Sequence, residues 1–257
     1  MIAASLLALA LGAAPACGLP PLAPGGPPWK TGEALTFDLD LLGMVRAGSM
    51  SFAVERPMSG GAVIPLRARA RSTAAVGNVK KLAAVGLSWI DARTLLPERY
   101  REESQEDDVH RVTDARLPPA PAEIVLDQQV GDRKGTHAFA REGAVLDAVS
   151  ALYLLRAAAL APGERFCFDL VGTGRFWRLE GTVAAKPEKV ETPAGKFDTL
   201  RVDATARRTD GQGARREVHL WFSTDARRLP VAAVSEIDLG PVRAMLTSVQ
   251  GDRRHGP

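Results

Sequence analysis

Aromatic side chains are scarce in this 257-residue chain, at 5% of the sequence, so any core must rest mainly on Leu, Val and Ala. Cysteine is scarcer still. Cys17 and Cys167 are the only two, which excludes a disulfide-dense scaffold and a four-thiolate zinc site. A dominant charge is lacking as well: 33 basic side chains against 30 acidic leave a net charge of +3, too little to imply a nucleic-acid partner. Apolar residues at 46% and charged residues at 25% are ordinary for a globular chain. They exclude a wholly disordered chain, a collagen-like repeat and a multi-span membrane protein.

Recognisable catalytic motifs are also missing. There is no Gly-Lys-Ser/Thr phosphate loop, no Gly-x-Ser-x-Gly elbow and no His-Glu-x-x-His. Gly172-Thr173-Gly174 lacks the third glycine and the strand–turn–helix setting of a dinucleotide site. His110, His137, His219 and His255 are scattered, and none has a second ligand at metal spacing. On its strand His219 falls on the solvated side. Ser150 has no base near it in sequence, and a triad of distant residues would meet only in the fold. No catalytic residue, no metal and no cofactor is therefore assigned; the missing motifs weigh against an enzyme without excluding one.

The first apolar stretch, Met1 to Ala14, carries no charged side chain and is too short to span a bilayer comfortably. It ends in Ala14-Pro15-Ala16, a small-x-small cleavage pattern, so residues 1–16 read as a secretory signal peptide, although no Lys or Arg precedes the apolar run. Cys17 follows at once and has two readings: lipidation after cleavage, or a disulfide with Cys167 in an oxidising compartment. The two exclude each other, because lipidation consumes the sulfur. Ala14 stands where lipoprotein signals usually carry Leu, and a pair of cysteines in an exported chain favours the bond. Residues 17–30 are rich in Pro and Gly and read as a linker without regular structure.

From residue 31 the apolar period is two. Leu35, Phe37, Leu39 and Leu41 alternate with Thr36, Asp38 and Asp40. Met50, Phe52 and Val54 do so, as do Leu66, Ala68 and Ala70 against Arg67, Arg69 and Arg71. The pattern returns at Phe166, Phe168 and Leu170, at Leu200, Val202 and Ala204, and at Val218, Leu220 and Phe222. Turn residues separate these runs at Ser59-Gly60-Gly61, Asp107-Asp108, Pro193-Ala194-Gly195 and Asp210-Gly211. The fold class is therefore mainly β, a curved antiparallel sheet or a partly open barrel, with one domain over residues 31–250 and a tail at 251–257. Leu229-Pro230 reads as the start of an edge strand.

One segment breaks the pattern. Residues 148–160 (AVSALYLLRAAAL) are helix formers, with Asp147 as N-cap and Pro162-Gly163 as stop. Apolar on nearly every side, this helix should be buried against the sheet, with Leu152 and Leu155 in the core. Tyr153 and Arg156, one turn apart on it, are the candidate ligand-binding residues. A buried Arg needs a partner, either an acidic ligand or an internal carboxylate or carbonyl. Arg67, Arg69 and Arg71 project from one strand face. They suit either anionic lipid or glycan, or a solvated face neutralised by the nearby acids Glu102, Glu103, Glu106, Asp107 and Asp108.

Five phrases in order carry a resemblance: residues 32–37 (GEALTF), 91–97 (DARTLLP), 147–156 (DAVSALYLLR), 191–202 (ETPAGKFDTLRV) and 221–230 (WFSTDARRLP). Together they resemble the bacterial domain-of-unknown-function 3108 family of exported envelope proteins, over most of residues 31–250. The resemblance implies a β-rich domain in the periplasm or associated with the outer membrane, and no catalytic residue. The expected role is a non-enzymatic envelope protein that binds an apolar ligand or lipid. The alternative is an interaction or assembly factor docking a partner protein, and a hydrolase of an envelope polymer ranks below both.

Overall fold

The computed structural model describes residues 18–251 apart from 42, 78–80, 142, 210–212, 214 and 238–239. The signal segment 1–16, Cys17, the Asp210-Gly211 turn and the tail beyond Gly251 lie outside the described residues.

The alternating runs form strands as their period requires. The first half of the chain makes β1 (Ala34–Leu41), β2 (Val45–Val54), β3 (Val63–Ser72), β4 (Leu82–Asp91), β5 (Pro97–Glu106), β6 (Val109–Arg116), β7 (Ile124–Val130) and β8 (Arg133–Phe139). The second half makes β9 (Val145–Asp147), β10 (Arg165–Gly172), β11 (Arg175–Val183), β12 (Glu188–Thr192), β13 (Gly195–Arg208), β14 (Arg215–Ser223), β15 (Pro230–Ile237) and β16 (Gly240–Gln250). A single turn, α1 (Ala74–Gly77), precedes β4, and α2 (Ala148–Ala157) joins β9 to β10. Among the described residues the strands form one open sheet in the order β8-β7-β6-β5-β4-β3-β2-β1-β16-β15-β14-β13-β11-β10-β9, with β12 paired to β13. Every pairing is antiparallel except β9 with β10, the two strands that α2 connects.

The sheet curls back on itself. Phe139 on edge strand β8 meets Phe176 on β11 with ring centroids 4.1 Å apart. The backbone N–H of Thr173 donates to Glu102 on β5 at 2.9 Å. Helix α2 lies between the two halves, which explains why it is apolar on almost every side. Val149, Tyr153 and Ala157 pack into one core cluster with Leu35, Phe52, Leu66, Tyr100 and Leu126. Ala151, Leu154 and Leu155 pack into another with Phe166, Phe168, Val202 and Phe222. Leu155 is buried as expected; Leu152 is only half-buried, touching both clusters at their junction.

Asp147 caps α2, accepting from the N–H groups of Val149 (2.8 Å) and Ser150 (3.0 Å), while the Asp147 N–H donates to Ser150 Oγ at 3.0 Å. That reciprocal box satisfies orphan donors at the helix start. The helix stops at Ala157, short of the expected Leu160, because the chain beyond it pairs with the N-terminal segment.

That segment departs most from expectation. Residues 18–30 are held along the body rather than loose. The Ala23 N–H donates to Ala157 O and the Ala159 N–H to Pro21 O, both at 2.8 Å, around an antiparallel bridge of Leu22 with Ala158. The Cys167 N–H donates to Gly18 O at 3.0 Å. Proline cannot donate, but its carbonyl accepts, so an extended Pro-rich strip can be fastened by its neighbours' N–H groups. Two further corrections concern turns. Pro230 opens an internal strand, β15, not an edge; it tolerates that place as the first strand residue, beside a register shift at Trp221/Phe222. Gly172-Thr173-Gly174 is the β10–β11 turn, where Thr173 (φ 50) and Gly174 (φ 67) supply the two positive φ angles of a tight hairpin.

Candidate functional site

The inner face of β2–β5 carries Phe52, Leu66, Ile90 and Tyr100 against α2 and the core. Their neighbours along each strand point the other way, onto a groove of about 990 Å³. Register builds its lining row by row. Ser51 on β2 stands beside Arg69 on β3, then Val85 on β4, then Glu103 on β5. The next row is Ser49, Arg71, Ala83, Gln105 and, on β6, His110. On the other side of the Arg69 row, Arg67, Leu87 and Arg101 align. The floor along β4 is thus Ala83, Val85 and Leu87, with arginines on one side and polar groups on the other. A shallower hollow of about 610 Å³ continues over β5–β8, sharing Arg101 and lined by Asp114, Arg116, Asp127 and Lys134.

The arginine stripe is not neutralised by the acids its sequence neighbourhood suggested. Arg67 pairs with Glu55 instead. Glu102 points inward, accepting from the Tyr100 hydroxyl at 3.0 Å. Glu103 sits 3.1 Å from His110 Nε2 and 3.7 Å from Arg101. Glu106 lies 3.6 Å from Arg111. Asp107 accepts from the Lys81 N–H at 2.8 Å. Among the described residues neither Arg69 nor Arg71 has an acidic partner, and Arg71 Nε reaches only Ser49 Oγ, at 3.3 Å.

The helix candidates, Tyr153 and Arg156, lie elsewhere, fully buried. Arg156 has an internal partner. Its Nη1 donates to Glu33 Oε1 at 2.6 Å and its Nη2 to Glu33 Oε2 at 3.2 Å. It also donates to the carbonyls of Arg227 and Arg228, both at 3.2 Å. The guanidinium lies over Trp29 (5.4 Å) and Tyr153 (5.3 Å), whose rings meet edge-on at 5.0 Å. Burial pushes the Tyr153 hydroxyl well above its usual range. The charge of Arg156 is thus spent on binding the N-terminal segment to α2. Cys167 is half-buried on β10.

Asp147 is fully buried, and burial raises its carboxyl above the ordinary value, against hydrogen bonds from Ser88, Ser150 and Val149 that pull it down. The Ser88 hydroxyl donates to it at 2.6 Å and the Ser150 hydroxyl at 2.8 Å. Ser150 is therefore a capping group. His219, half-buried, lies 2.5 Å from Asp203 on the outer face of β13–β14, where Arg201 also pairs with Asp203. Among the described residues no three His, Cys, Asp or Glu side chains are grouped to hold a metal, and no helix is long and apolar enough to cross a membrane.

Motif reasoning missed the groove. The arginine stripe on β3 was one signal for it; the other is the apolar content of β4 on its solvent side, which becomes meaningful once register sets Val85 beside Arg69.

The model of a family described as Protein of unknown function (DUF3108) matches residues 36–247. No curated protein matches the sequence. Among solved structures, a β-barrel-like protein of domain of unknown function DUF1849 from Brucella abortus superposes with a TM-score of 0.58 at 12% identity, covering 85% of this chain and 97% of its own. That likeness is one of fold. A provisionally named lipoprotein from Parabacteroides distasonis gives a TM-score of 0.34 at 10% identity, covering 88% of this chain and 97% of its own. A provisionally named exported protein with a YmcC-like fold from Bacteroides fragilis gives 0.32 at 11% identity, covering 91% of this chain and 100% of its own.

Proposed function

Because this chain belongs to the DUF3108 family of proteins of unknown function, we propose its role from the groove itself: an exported envelope protein, non-enzymatic, that holds the apolar chain of a small ligand against β4. One observation carries this reading. An antiparallel sheet that packs one face on its core shows polar side chains on the other. Here the solvent face of β4 presents Ala83, Val85 and Leu87 at the bottom of a concavity of about 990 Å³. Apolar surface held in a hollow and rimmed by polar groups is the usual mark of a binding site. The apolar Met1–Ala14 segment with its Ala14-Pro15-Ala16 pattern supports export to the periplasm or the outer membrane.

The test is extraction of protein purified from its own cell envelope, with mass spectrometry of what is released. The reading expects an apolar ligand at near-stoichiometric yield from the native protein and its loss from Val85→Asp, whose charge would sit on the groove floor. Empty native protein would overturn it. The second reading, docking of a partner protein, is favoured by the open edge of β8, where Arg133–Ala138 are exposed. A photo-crosslinking side chain at Thr136 that captures one defined envelope protein, beside an empty groove, would favour it.

A further inference from the structure

We propose that Arg69 and Arg71 form a head-group site at one end of this groove and select ligands that carry an oxyanion, a phosphate or carboxylate, on their apolar chain. This rests on the reading of the groove as a binding site for such a chain.

Charge in the groove is uneven. Of the three arginines on β3, Arg67 is paired with Glu55. Glu103, the carboxylate nearest in register to Arg69, stands across Val85 and is engaged by His110 at 3.1 Å and Arg101 at 3.7 Å. Positive charge without an internal counter-ion is thus concentrated at Arg69 and Arg71. Both side chains are exposed, so water and ligand reach them. Being two residues apart on one strand, they leave the sheet about 7 Å apart on the same face. Two guanidinium forks at that spacing can close on one oxyanion, each offering paired N–H donors.

The neighbours suit the same ligand. Ser49 and Ser51 flank the arginines in register and add hydroxyl donors, and Arg71 is already steered toward Ser49 at 3.3 Å. Gln105 and His110 close the far side of the row. In adjacent rows Val85 and Leu87 continue the floor away from Arg71, giving a chain somewhere to lie while its head meets the arginines. A merely solvated face of paired ions would place an acid against each arginine, as happens for Arg99 with Asp114 and Arg116 with Asp127 in the adjoining hollow.

Calorimetric titration of the mature protein with three probes, each below its micelle concentration, tests this: dodecyl phosphate, dodecyl maltoside and inorganic phosphate. Dodecyl phosphate should bind about tenfold or more tightly than the maltoside, the margin expected for a pair of charged hydrogen bonds. The double variant Arg69→Ala/Arg71→Ala should bring the two amphiphiles to parity with its thermal midpoint unchanged, while Arg67→Ala keeps the preference. Equal binding of the two amphiphiles, unmoved by the double variant, would overturn the head-group site and leave the chain-binding reading standing. Inorganic phosphate binding as tightly as dodecyl phosphate, and lost in the double variant, would uphold the arginine site and overturn chain binding. Binding of none of the three would overturn both.

Discussion

Arg156 shows what a single buried charge does in this molecule. It is fully enclosed, yet its carboxylate partner, Glu33, stands at the end of the N-terminal segment rather than on the helix. Removing one member of such a pair leaves the other uncompensated. Glu33→Gln should therefore cost about 3–5 kcal/mol, read as a lower urea midpoint with an unchanged slope. An unmoved midpoint would mean that the two carbonyls alone satisfy Arg156. Asp147 makes the opposite case, a carboxylate whose enclosure raises its folded pKa above the ordinary carboxylate value of 3.8. The sign follows from proton linkage. Between 3.8 and the raised value the folded chain binds more protons, so this group's contribution to stability grows as pH falls through that window and is absent above it. Denaturation curves from pH 8 down should show the native protein gaining on Asp147→Asn across the window; a pH-independent difference would contradict the shift.

Helix α2 owes its order to both termini. The Asp147 cap was legible, since an Asp before an apolar run is a cap signal, but the part Ser150 plays in it was not, and the Ser88 hydroxyl that completes it at 2.6 Å comes from β4. Its C-terminal limit was not legible, because Leu22 and Pro21 end it from outside, and no helix-stop rule reads a partner 136 residues away in sequence order (Leu22 to Ala158). The helix's two buried sides also differ in consequence. Leu155→Ala should cost about 2–5 kcal/mol through lost burial and a residual cavity, and Leu152→Ala less, because that side chain is already part-solvated. Thermal midpoints of the two variants decide it; equal shifts would place Leu152 deeper than the structure does.

At the scale of the whole molecule, the N-terminal strip, α2 and the two half-sheets depend on one another. Gly18 accepts from the Cys167 N–H, so the residue that follows Cys17 is anchored beside the chain's other cysteine. In an oxidising compartment a Cys17–Cys167 bond is expected. In the chain-entropy model it would add stability on the order of 4–5 kcal/mol as an upper value, for a loop of this length. Peptide mapping without reductant should find the linked peptides, and reduction should lower the thermal midpoint. Two free thiols or a lipidated Cys17 would refute the bond.

Sequence alone determined that this chain is a sheet protein with one buried helix, because a period of two and a capped apolar run are local properties that need no partner to be read. It also placed Arg67, Arg69 and Arg71 on one strand face. Only the tertiary structure decided which arginines keep their charge free, because Glu55, Glu103 and His110 reach the stripe or its rivals through strand register, and register is set by packing across the sheet. The same holds for Arg156. Its need for a partner follows from burial, but Glu33 became that partner through the fastening of residues 18–30 to α2, contacts between segments far apart in the chain.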